Sequence, residues 1–77
     1  MDTFGEIFDQ YQKQWGTNRI NHSEFTDAIL RAAKIQFSHF SEDKINYIWG
    51  RVYEENHSSF GDCILKMQEM CDFVDGL

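Results

Sequence analysis

The stretch SEDKINYIWGRVY, residues 41–53, decides the fold. Its apolar members Ile45, Ile48, Trp49, Val52 and Tyr53 recur at intervals that place side chains on one face of an α-helix. Ser41 ahead of Glu42 and Asp43 is a helix-start signal, because a serine hydroxyl accepts from backbone N–H groups that the first turn leaves unpaired. Phe40 just before that cap and Ile45 four residues after it have the spacing of a hydrophobic staple. Asn56, His57 and Ser58 then break the period.

The same pattern repeats on both sides of this stretch. Downstream, Ser59 and Asp62 cap a helix whose stripe is Phe60, Cys63, Ile64, Met67, Cys71 and Val74, flanked by Met70, Phe73 and Leu77 and stopped near Gly76. Upstream, Asn21 and Glu24 open a helix carrying Phe25, Ala28, Ile29 and Ala32. That helix has a second stripe, Leu30, Ala33 and Phe37, so it is either central to the fold or in contact with a partner chain. The first helix, starting at a Thr3 cap, aligns Phe4, Ile7, Phe8, Tyr11 and Trp15 and ends at the turn Gly16, Thr17, Asn18. Short connections between successive helices predict antiparallel neighbours. The expected fold is all-α, a small four-helix bundle of two helical hairpins, with residues 1–77 as a single helical domain.

A chain of 77 residues buries a modest share of its surface, so its core must be rich in large side chains. Seven Phe, three Tyr and two Trp meet that need, each removing about 150 to 250 Å² from water when buried. No signal-peptide run, transit segment or long apolar stretch is present in the sequence, which predicts a cytoplasmic protein. Cys63 and Cys71 lie ~12 Å apart along one helix, beyond disulfide reach, and fit buried free thiols in a reducing compartment.

Acids outnumber bases 13 to 7, for a net charge of −6, and the bases are scattered. Direct binding to nucleic acid or to an anionic membrane needs clustered Lys or Arg, so neither is expected. The charge is also uneven. Residues 1–39 hold five acids and four bases, residues 40–77 eight acids and three bases. Glu54 and Glu55 end the third helix and Asp72 and Asp75 the fourth, where the helix dipole favours bases instead. In an antiparallel hairpin Asp72 and Asp75 would approach Glu42 and Asp43, forming an acidic end.

Residues 19–25, Arg-Ile-Asn-His-Ser-Glu-Phe, resemble the second half of an EF-hand loop, in which an isoleucine precedes a glutamate by four positions. Counting back from Glu24 puts Lys13, Trp15 and Thr17 at positions that calcium loops fill with oxygen ligands, and an ammonium there repels the ion. The resemblance implies a calcium-free helix-loop-helix adaptor. His22, His39, His57, Cys63 and Cys71 have no chelating spacing, so no metal and no cofactor are expected.

No pattern of nucleophile, acid and base marks an enzyme. The sequence points instead to a small acidic, non-enzymatic protein-binding module or inhibitor that docks on a basic surface of a partner protein. A nucleic-acid-binding enzyme or a toxin offers such a surface; phage anti-defence and toxin-immunity proteins are analogues in size and charge only. The expected binding residues are Glu42, Asp43, Asp72, Asp75, Glu54 and Glu55, with Leu30, Phe37 and Phe73 as an apolar complement. The alternatives are a self-associating structural or regulatory subunit, as a homodimer, and the EF-hand-like adaptor.

Overall fold

Three side-chain caps fix where the helices begin. In the computed structural model, which describes residues 4–14, 20–57 and 59–77, Asn21 Oδ1 accepts from the backbone N–H groups of Ser23 at 2.9 Å and Glu24 at 3.2 Å. Ser41 Oγ accepts from Lys44 N–H at 3.2 Å and Ser59 Oγ from Asp62 N–H at 3.3 Å. The resulting helices are α1 (Phe4–Gln12), α2 (His22–Gln36), α3 (Glu42–Asn56) and α4 (Phe60–Asp75). The expected cap at Thr3, the stripe member Trp15 and the turn at residues 16–18 lie outside the described residues. Gly76 does stop α4, but at φ −79° it remains right-handed, and its N–H bonds the carbonyls of Asp72 and Phe73 at 3.1 and 3.2 Å.

The helices form a four-cornered bundle. The contact between α3 and α4 is the most extensive, α1 packs on α2 and α4, and α2 also touches α3 and, across the middle, α4. Among the described residues α1 and α3 do not touch and occupy opposite corners. His39, just before α3, lies 2.6 Å from the carboxylate of Asp75 at the end of α4, as an antiparallel hairpin requires.

One aromatic from each helix meets at the core. Phe25 of α2 is fully buried and stands edge-to-face with Tyr11 of α1 at 5.3 Å and with Phe60 of α4 at 5.0 Å, while Trp49 of α3 lies 6.1 Å away. These offset geometries set the positive edge of one ring on the negative face of another, a preference beyond area burial. At the α2–α3 connection Phe37 stacks on Phe40 at 5.2 Å, and the Lys34 ammonium donates to the Phe40 carbonyl at 2.7 Å. Phe40 and Ile45 are both buried, so the staple forms as the spacing predicts, and the Lys44 ammonium covers the Phe40 ring at 4.4 Å.

The second stripe of α2 belongs mostly to this core. Ala33 and Phe37 are 0% and 4% exposed and Leu30 is half-buried, because α2 packs against all three other helices. Of the two readings of that stripe, the central helix is the one this packing favours, and Phe37 is not presented on a surface.

Candidate functional site

No polar or charged side chain is fully buried among the described residues. Their polar chemistry therefore lies on the surface, in the grooves between helices. The expected binding residues share an end of the α3/α4 hairpin in pairs but turn toward different neighbours. Glu42 lines the α2/α3 groove, where Arg31 and Lys34 face it beside Leu30 and Ile45. Asp43 is exposed, and Asp75 is engaged by His39. Asp72 follows Leu65 and Gln68 by seven and four residues, which places it on their side of α4 and away from α3. At the other end Glu55 lines the α3/α4 groove with Arg51, and Glu54 is exposed. Phe73 is 63% exposed.

A different grouping of acids emerges between α1 and α4. There Phe4, Phe8, Ile64 and the half-exposed Leu65 form an apolar floor, Glu6 and Asp9 stand beside it, and no Lys or Arg among the described residues lines the groove. Asp72 extends the same flank on α4. Each of the α1/α2, α2/α3 and α3/α4 grooves carries at least one base: Arg31, Arg31 with Lys34, and Lys44 with Arg51 respectively. Neither Glu6 nor Asp9 is among the binding residues expected from the sequence. The signal that could have singled them out is their spacing of three on one side of the apolar stripe, with no basic residue before Lys13.

The histidines and thiols have separate surroundings. His22 Nδ1 is 3.2 Å from the Tyr53 hydroxyl, His39 meets Asp75, and the Glu54 carbonyl accepts from His57 Nδ1 at 3.2 Å. No group of three or more His, Cys, Asp or Glu is placed to hold a metal ion among the described residues. Nor is any helix among them long and apolar enough to cross a membrane.

Cys63 and Cys71 are fully buried free thiols, and Cys63 Sγ donates to the Asn56 carbonyl at 3.2 Å. Burial, aided by Asp62 and Asp72 respectively, pushes both up from 9.0 to about 11. The thiolate is the reactive form, so neither thiol should react with a disulfide reagent at pH 8 until the chain unfolds. The unfolded chain releases these protons near pH 8.5, whereas the native state keeps them to about 11. Stability should therefore fall as pH rises across that window, by on the order of 2 kcal/mol per thiol. Urea melts at pH 8 and 10.5 measure this; fast thiol labelling of the native protein would contradict it. Burial also raises the Tyr11 hydroxyl, with Glu24 adding to the shift, which acts in the same direction.

Set against family models, curated proteins and solved structures, the chain matches none of them.

Proposed function

We propose that this chain is a non-enzymatic protein-binding module that sets its acidic α1/α4 face on a basic surface of a partner protein. The observation that carries the reading is the groove between α1 and α4: an apolar floor, the Asp9 carboxylate at its edge and, among the described residues, no base in its lining, within a chain of net charge −6. Apolar area supplies affinity and the surrounding carboxylates supply attraction over distance. A nucleic-acid-binding enzyme or a toxin is the partner class this chemistry fits, because carboxylates can occupy sites that otherwise hold phosphates. Occupying such a site would make the chain an inhibitor, acting in the cytoplasm where its thiols stay reduced.

The test pairs capture with kinetics. Partners taken from a lysate of the source cell should bind the wild-type chain and be lost with Asp9→Lys/Asp72→Lys. Both substitutions lie toward helix C-termini, where a base suits the dipole, so the melting temperature should hold or rise. Association with a captured partner should slow on the order of tenfold or more and lose most of its salt dependence. An unchanged on-rate would overturn the proposal.

A further inference from the structure

The α2/α3 groove divides at Asp27. Toward the end of α2 it carries Arg31 and Lys34; toward the start of α2 it is a notch bordered by His22, Ser23, Thr26, Asp27, Trp49 and Tyr53, with no Lys or Arg in its lining among the described residues. The Tyr53 hydroxyl lies 3.2 Å from His22 Nδ1, so Trp49, one turn before Tyr53 on the antiparallel α3, stands level with Thr26 and Asp27. Two groups here lack partners. Trp49 is 8% exposed, and its indole N–H, the polar atom of an otherwise apolar side chain, meets no acceptor among the described residues. The exposed Asp27 carboxylate makes no hydrogen bond or ion pair with them either. Arg31, one turn on, lines the neighbouring grooves with Asp27 but not the notch. The rings are held from behind: Trp49 packs 6.1 Å from Phe25 and 5.7 Å from Tyr53.

We infer that the notch binds an arginine side chain of a partner protein. Its guanidinium lies against the Tyr53 and Trp49 rings and donates to the Asp27 carboxylate, while the main-chain carbonyl of the same residue accepts from the Trp49 indole N–H. The unmet needs of the notch select this ligand. An anion would meet Asp27 with no base to offset the repulsion. A guanidinium is planar, so it can rest on an aromatic face and donate in its own plane at once, and it is more weakly hydrated than an ammonium. The carbonyl supplies the acceptor that the buried indole lacks. The notch lies between α2 and α3, on the side of the bundle away from the α1/α4 face, and its occupancy does not depend on that face.

Titrating the full chain with N-acetyl-arginine amide, followed by nuclear magnetic resonance, tests the site without a partner. The Trp49 indole N–H signal, assigned by its loss in Trp49→Phe, should shift saturably with a dissociation constant on the order of 1 mM. N-acetyl-citrulline amide keeps the shape without the charge and should bind at least tenfold more weakly. N-acetyl-lysine amide, and free arginine, which lacks both amides, should also bind more weakly than the capped arginine. Asp27→Asn, at an exposed position, should leave circular dichroism unchanged and weaken binding at least tenfold. Trp49→Phe keeps a ring and removes the N–H, and should weaken binding about threefold, read from the backbone signals of Ser23 and Thr26. A signal that does not saturate by about 50 mM overturns the inference. So does binding of citrulline, lysine or free arginine as tight as that of the capped arginine, or wild-type affinity in Asp27→Asn.

Discussion

Phe25→Ala is expected to remove a large part of the folding stability of the chain. The ring is fully buried, and it contacts aromatic partners from each of the other three helices: Tyr11, Trp49 and Phe60. Removing a buried Phe side chain costs about 3 to 5 kcal/mol, through lost transfer energy and the cavity left behind. A domain of this length has a total stability of roughly 4 to 11 kcal/mol, so the loss takes a large part of it. Urea melts followed by circular dichroism and by Trp fluorescence measure the change. Phe73→Ala, at a 63% exposed site, is the internal contrast and should shift stability by less than about 0.5 kcal/mol. A Phe25→Ala loss below about 1 kcal/mol would mean that the four aromatics do not act as one junction.

The second large effect concerns Phe37. Phe37→Ser should destabilise by about 3 to 5 kcal/mol, because the ring is 4% exposed, stacks on Phe40 and leaves a hydroxyl without an assigned partner when replaced. Leu30→Ser, at a half-buried position beside Arg31 and Lys34, should cost only about 1 to 2 kcal/mol. Combining them should melt the protein rather than alter its association. Retention of helical circular dichroism in the double variant, with a changed mass by light scattering, would place Phe37 on a surface in solution after all.

The helices and their starts could be read from the sequence because the signals are local. The hydroxyl of Ser41 and the amide of Asn21 act within three residues, and the Phe40/Ile45 staple spans five. What periodicity does not carry is azimuth. The apolar face of a helix shows which side is dry but not which neighbour covers each flank, and α2 is the example: its second stripe reads equally as core or as interface until α2 is seen packed against all three other helices. The carboxylates pose the same problem. Glu42 and Asp72 stand at one end of a hairpin in sequence terms, yet one turns toward Arg31 and Lys34 and the other toward Leu65 and Gln68. Glu6 and Asp9 gain meaning only from the residues of α4 set across from them.

The opposite corners held by α1 and α3 have a consequence for how such a chain can change. Residues that share no neighbours contribute to stability independently, to within about 0.3 to 0.5 kcal/mol. Asp9 on one flank and Tyr47 on the other meet that condition, with α2 and α4 standing between them. Substitutions on either side can accumulate without repacking the other. The bundle thus behaves as a two-sided plate whose surfaces are free to drift along unrelated histories while the aromatic junction at Phe25 stays fixed.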